Sequence, residues 1–373
     1  MRPSLWCHSI LATLLVALMA CAPAAPPPSA SKSVAAGAPN LTDWADIEAA
    51  AKAEGVLVYT STTGSAWQAF SEKLKQAFPW LDVQWIPMKP SDMSPRVIAE
   101  QRQGQYLWDM YLGATSNLLG VLTPADALEI ITPYLDVMPA ELKDDSKWAG
   151  GFHLYTDPNK RVTLIDYFTI GGGFHVNREV AGASEIKTWQ DLLDPKWKDK
   201  IVAYDPTVGN AGSFAYAALL ASNGEDFVKK LVAQSRYLET RSQVTEFVIQ
   251  GRYPVAIGLD DDLHRQFLDQ GVGKSVELVG RDTAPYLLSN GISIFKNTPH
   301  PNVSKMVLRW LLSAEGQDAR ASSVLNSSRR LDVKSYDPLT SPDYSRLNEF
   351  KFRLGTTDGE EITKKTLELT KQK

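Results

Sequence analysis

From residue 41 onward the chain alternates short apolar runs with amphipathic segments, and this alternation restricts the fold more than any other feature. "GVLVYT" at 55–60, "LDVQWIPM" at 81–88 and "LWDMYLGA" at 107–114 read as strands. Between them, 65–78 carries Trp67, Phe70, Leu74 and Phe78 at helical spacing, and 95–103 reads as a second helix. Another helix precedes the first strand, with Trp44, Ile47 and Ala51 on one face and Thr42 placed to cap it. Strand and helix in this order predict a parallel sheet, because a parallel crossover needs a long connection that a helix fills.

The pattern resumes past Gly150. With 373 residues and 44% hydrophobic content, the chain exceeds what one core tends to organise, and two lobes are expected. In "RVTLIDYFTIGGGFHVN" at 161–177 an apolar run is broken by Gly171, Gly172 and Gly173, which read as a hinge or as a wide turn. "KIVAYDP" at 200–206, helices over 211–222 and 243–250, and the strand "YPVAIGL" at 253–259 form a second α/β unit. "GISIFKN" at 291–297 is then a strand and "NVSKMVLRWLLS" at 302–313 an amphipathic helix. The tail from Ser335 is polar and loop-rich, and is expected to pack on the first lobe.

The amino-terminal segment has a different texture. Arg2 precedes an apolar run from Leu11 to Ala20, only half of the roughly 20 residues that span a bilayer, so residues 1–20 read as a secretory signal. The run ends in Leu18-Met19-Ala20-Cys21, similar to a lipobox, in which cleavage frees the cysteine for acylation. Residues 21–40 are rich in Ala, Pro and Ser and read as a flexible tether. The one other cysteine, Cys7, lies inside the signal, which excludes a disulfide and a nucleophilic thiol in the mature chain. A formal charge of −4, with Lys and Arg scattered, argues against a nucleic-acid partner. The expectation is an exported, lipid-anchored monomer.

Open parallel sheets bind ligands beyond the carboxyl ends of their strands, where helix N-termini offer backbone N–H groups. That rule selects Thr60, Ser61, Thr62, Thr63 and Gly64 after the first strand, with one hydroxyl expected to cap the helix at 65. It also selects Gly113, Ala114 and Thr115 after the third strand, and Asn210, Ala211, Gly212 and Ser213 in the second unit. Arg241 offers a bidentate guanidinium, with Ser242 as a capping hydroxyl beside it. The triplet Asp260-Asp261-Asp262 follows the last strand of that unit; Asp260 or Asp261 is expected to face the ligand and Asp262 to cap the next helix.

Catalytic chemistry finds little footing. His8, His153, His175, His264 and His300 show no HExxH spacing, and no GxSxG turn occurs. Adjacent aspartates diverge, and two of them lack the third ligand that a closed cation site needs. No catalytic residue, resident metal or cofactor is expected. Trp67, Tyr167, Tyr216 and Tyr286 fall near the loops above. If they line the pocket they favour an organic anion or zwitterion; buried away from it, they favour an inorganic ion.

Four segments occur together and in order: "GVLVYTSTTGSAWQAFSEKLKQAFP" at 55–79, "TWQDLLDPKWKDKIVAYDPTVGNAG" at 188–212, "FVIQGRYPVAIGL" at 247–259 and "NTPHPNVSKMVLRWLLSAEGQ" at 297–317. In these the chain resembles the type II extracellular solute-binding proteins of bacterial ABC importers, in the branch that includes ferric-iron-binding proteins. The resemblance implies two α/β lobes, one of residues 41–170 with 272–373 and one of 171–271, holding a solute in the cleft for an ABC permease. Ferric binders of this branch use a histidine after the first strand, a carboxylate after the third and paired tyrosines after the hinge strand. Thr60–Gly64, Gly113–Ser116 and Asp260–Asp262 stand at those places here, so the usual iron ligands are missing. The expected solute is an anionic or zwitterionic organic molecule or a metal–anion complex. Direct iron(III) binding through other ligands and a hydrolase using Asp260 and Asp261 stand as alternatives.

Overall fold

The structure is a computed structural model describing residues 41–208, 210–259 and 261–372, with the backbone alone described at 208, 261 and 262. The signal, the tether and Cys21 lie outside these residues, as does Asp260.

Helix α1 (Trp44–Glu54) opens the described chain, capped by Asp43, whose carboxylate accepts from the Ala45 and Asp46 amides. The cap is thus one residue beyond the expected Thr42, because an aspartate there satisfies two amides at once. Then come β1 (Val56–Thr60), α2 (Ser65–Ala77), β2 (Asp82–Trp85), α3 (Pro90–Arg102), β3 (Met110–Ala114), α4 (Thr132–Asp136) and β4 (Thr163–Gly171). α3 begins five residues before the expected start: Pro90 sits in its first turn, where a fixed φ and a missing N–H are harmless, and Pro95 lies inside the helix.

The second unit holds β5 (Phe174–Asn177), β6 (Ile201–Tyr204), α5 (Ala211–Asn223), α6 (Glu225–Gln234), β7 (Ser235–Leu238), α7 (Arg241–Ile249), β8 (Val255–Ile257), α8 (Asp261–Asp269) and β9 (Val276–Val279). The chain ends with β10 (Tyr286–Ile294), α9 (Pro301–Leu312), α10 (Ala314–Val324), β11 (Ser327–Ser328), β12 (Arg353–Leu354) and α11 (Thr357–Thr370).

Two mixed sheets result. The first runs β11-β4-β10-β3-β1-β2, with β12 added on β10, and the second runs β7-β6-β8-β5-β9. β1 pairs in parallel with β2 and β3, and β6 with β7 and β8, whereas β10 is antiparallel to β3 and β4. In β1, Leu57 and Tyr59 enter one core with Phe70 of α2 and Leu308 of α9, and Val58 enters another with Met93 and Val97 of α3. Burial on both faces is why the strand reads as a continuous apolar run.

β9 pairs with β5, so the segment after residue 272, expected to return to the first lobe, still belongs to the second sheet. The return passes instead through 280–285. There the two connections lie side by side: a side chain at Gly172 (φ +123°) would come within 2.9 Å of the Ala284 carbonyl, and one at Gly173 (φ +82°) within 2.7 Å of the Val279 carbonyl. Gly171 sits under the Tyr286 ring. The glycine run is therefore the close crossing between two sheets, and not a wide turn.

The tail also differs from expectation. Its last third is α11, and α11 packs along α5 of the second lobe. Its inward positions are largely threonines, which hid it from a hydrophobic reading. Thr363, Thr366 and Thr370 return their hydroxyls to the carbonyls of Gly359, Ile362 and Thr366 at 2.8, 2.8 and 3.0 Å, so they can be buried.

Buried charges brace the first lobe. The Asp109 carboxylate accepts from the amides of Val58 (2.7 Å) and His300 (3.0 Å), the Thr298 hydroxyl (2.6 Å) and the His300 ring (2.9 Å). Arg320 pairs with Asp166 at 2.8 Å, both fully buried, and lies over the Tyr167 ring.

Candidate functional site

Strand register decides which loops can share a ligand. β10 starts at the hinge and runs antiparallel to β3, with Asn290 opposite Ala114, so the carboxyl ends of β1 and β3 point to the hinge edge. β8 runs antiparallel to β5, which leaves the hinge, and β6 and β7 follow β8, so their carboxyl ends reach the same edge. The loops after β1, β3, β6, β7 and β8 thus all follow strands whose carboxyl ends lie on the hinge side of their sheets.

On the first wall, Thr60 and Ser61 are buried, Thr62 is half-buried, and Thr63 and Gly64 are exposed. Ser61 Oγ accepts from the Trp85 indole N–H at 2.8 Å and is occupied in holding the loop. Thr60 Oγ1 is buried and finds no hydrogen-bond partner. The hydroxyl expected to cap α2 does not: Gly64 is the cap, and no side chain satisfies the first turn. Gly64 takes φ +136°, which turns the loop so that its hydroxyls miss the helix amides. The positive end of this 13-residue helix is left facing the loop.

Gly113 and Thr115 are buried and Ala114 is exposed. The Thr115 hydroxyl is held by two backbone carbonyls, Ser289 at 3.1 Å and Gly355 at 3.0 Å, which makes it a structural link rather than an open donor. Gly113 is required by its neighbour, since a side chain there would meet the Tyr111 hydroxyl at 2.9 Å.

On the second wall Asn210 caps α5. Its side-chain oxygen accepts from the amides of Gly212 (2.8 Å) and Ser213 (3.3 Å), and the Ser213 hydroxyl accepts from the Asn210 amide at 2.8 Å. This reciprocal box uses amides that the sequence reading left to a ligand, and it leaves Ala211, half-buried, at the first helical position. Gly212 packs on the Tyr204 carbonyl too closely for any side chain.

Arg241 is the first residue of α7, whose cap is Thr240 (to the Gln243 amide, 3.2 Å) and not Ser242, which is exposed in the first turn. The half-buried Arg241 guanidinium donates from Nη2 to the Leu259 carbonyl at 3.1 Å. One bond therefore ties the loop after β7 to the loop after β8, next to the aspartates. α8 begins at Asp261, so Asp262 lies within its first turn. His264 places Nε2 3.1 Å from the Gly273 carbonyl.

The four aromatics expected near the cleft are core residues. Trp67 packs on Phe70, Tyr167 is covered by Arg320, Tyr216 is fully buried with its hydroxyl 2.9 Å from Ser235 Oγ, and Tyr286 covers Gly171. Trp85, which fixes Ser61, was missed; its place at the carboxyl end of β2, beside β1, was the available signal. Among the described residues, no group of three His, Cys, Asp or Glu side chains is arranged to hold a metal ion.

With this geometry in hand, relatives are informative. Residues 69–328 match the model of a family described as bacterial extracellular solute-binding protein. An uncharacterised protein of Haemophilus influenzae is 27% identical over 288 residues, covering 73% of this chain and 77% of that one. Among solved structures, iron-bound HitA from Pseudomonas aeruginosa superposes with a TM-score of 0.60 at 17% identity, over 85% of this chain and 98% of that one. AfuA from Actinobacillus pleuropneumoniae, with fructose-6-phosphate bound, gives 0.55 at 22% identity over 85% and 98%. At such identities the structures speak for the shared two-lobed fold. The family match spans most of the chain, with all of the second sheet and every strand of the first except β1 and β12: the chain belongs to the bacterial extracellular solute-binding protein family.

Proposed function

We propose that this chain captures a compact, oxyanion-bearing solute between its lobes and delivers it to an ABC permease, with no chemistry on the solute. The observation that carries this reading is the pairing of the uncapped α2 N-terminus on one wall with Arg241, aimed by the Leu259 carbonyl, on the other. Both are anion-directed, and both open at the hinge edge.

Burial of the aromatics favours a small, strongly polar solute over one that needs a stacking platform. By that criterion an inorganic oxyanion, alone or bound to a metal ion, fits best, with a small phosphate ester or carboxylate next; HitA and AfuA were crystallised with iron and with a hexose phosphate. Asp260 and Asp261 then face the cationic part of such a ligand. Thr60–Gly64, Gly113–Thr115 and Asn210–Ser213 complete the walls. The chain is exported as a monomer and held at the cell envelope through acylated Cys21.

The test is a thermal-shift screen of the full chain against inorganic phosphate, sugar phosphates, ferric citrate, organic acids and polyamines, since a bound ligand raises the melting temperature by mass action. Among hits, Arg241→Ala is expected to weaken an anion more than tenfold, roughly 1.4 kcal/mol. An unchanged dissociation constant removes Arg241 from the site, and a response to polyamines alone reverses the charge assignment.

A further inference from the structure

We infer that α11 is a strut between the lobes that limits their opening and supports the ligand loop after β6. The family match ends at residue 328, so β12 and α11 lie beyond the part that establishes the solute-binding reading on which this inference rests.

Each end of the strut has its own anchor. β12 pairs with β10, placing Leu354 beside Leu288 next to the hinge. The following Gly355 gives its carbonyl to the Thr115 hydroxyl of the first wall at 3.0 Å. Thr357, the first residue of α11, donates both its amide (3.0 Å) and its hydroxyl (3.1 Å) to the Thr156 carbonyl, which precedes β4 in the first lobe. Fourteen residues of helix, about 21 Å, then carry the chain along α5.

At the far end Leu369 is buried in the second-lobe core, and the Thr370 hydroxyl reaches the Pro206 carbonyl at 3.4 Å. Pro206 lies in the loop that delivers Asn210 to the cleft. A loop that rests on a helix whose first turn is bonded to the opposite lobe cannot swing freely. The lobes are thus joined at 172–173, at 280–285 and by α11. At the first-lobe end β12 and Gly355 hold the approach to the helix, and the Thr156 carbonyl holds the first turn of α11 itself.

Thr357→Pro isolates this contact. Proline is tolerated at the first helical position, and the preceding residue, Thr356, already has φ −119° and ψ 160°, compatible with a following proline. The substitution removes both donors to Thr156 and keeps the Thr356 cap, whose hydroxyl accepts from the Gly359 amide at 3.3 Å.

Inter-lobe distances are measured without solute by electron–electron resonance, with spin labels at the exposed positions Gln68→Cys and Lys230→Cys and with Cys7 and Cys21 changed to Ser. Thr357→Pro is expected to broaden the distance distribution toward longer values. An unchanged distribution overturns the inference. If Thr357→Pro also lowers the melting temperature of the whole chain, Thr357→Val, which removes only the hydroxyl bond, is expected to give a smaller broadening, and none overturns it equally.

For the loop, Thr370→Val is expected to speed amide exchange at Thr207 about tenfold while leaving the β6 amides unchanged. No change at Thr207 removes the supporting role. Because no solute enters these measurements, failure to find a ligand for the cleft leaves their outcome readable.

Discussion

His175 shows how one side chain sets a condition on the whole fold. It lies in β5, almost fully buried, with its ring 5.9 Å from that of His264 on α8 in an edge-to-face arrangement. Burial first, then the neighbouring His264 and Arg281, pushes it from the ordinary 6.5 down to about 3. The unfolded chain takes up a proton here below the ordinary value and the folded chain does not. Stability contributed by the neutral ring is therefore complete above 6.5 and declines as pH falls toward about 3, by roughly 1.4 kcal/mol per unit at most. Urea unfolding of wild type and His175→Leu across this window is expected to show the difference between them shrinking on acidification. A pH-independent difference means the ring is not held neutral. At the same scale, Arg241 and the Asp260–Asp262 triplet were legible as charged groups after strands. The role of Thr115 was not, because its partners, Ser289 and Gly355, are remote in sequence.

At the scale of elements, capping separates the loop after β1 from the loop after β6. Asn210 and Ser213 close the start of α5 on themselves, whereas α2 starts from Gly64 with no side-chain cap. Four hydroxyl-bearing residues before α2 suggested the opposite, since a sequence shows which residues can cap but not the backbone angle that aims them. The hinge glycines are the converse case: the run was visible, and its reason is the approach of the Ala284 and Val279 carbonyls. Gly172→Ala is accordingly expected to destabilise the chain by about 1–3 kcal/mol in chemical unfolding, because φ +123° is strained for alanine and the Ala284 carbonyl stands 2.9 Å from the new methyl. A loss below about 0.5 kcal/mol, the range of ordinary surface substitutions, contradicts the tight crossing.

For the whole molecule, the two lobes do not have separable cores. The cluster built on Phe174, Trp189 and Leu219 of the second lobe also contains Tyr286 of β10, Phe352, Leu354 and Leu369. Calorimetry is expected to show one cooperative transition, with matching calorimetric and van't Hoff enthalpies. Two resolved transitions would mean that the lobes melt independently and that the C-terminal segment couples them weakly.

The two α/β units, the order of most strands and helices, the glycine run between the units and the family were readable along the chain, because these follow from local periodicity and from residues near one another in sequence. That β9 completes the second sheet, that α11 lies on the second lobe behind a threonine-lined face, and that Trp67, Tyr167, Tyr216 and Tyr286 are core residues emerged from the three-dimensional packing alone. Each of those outcomes depends on which distant strand or carbonyl arrives opposite a given residue, and strand register, not local pattern, sets that.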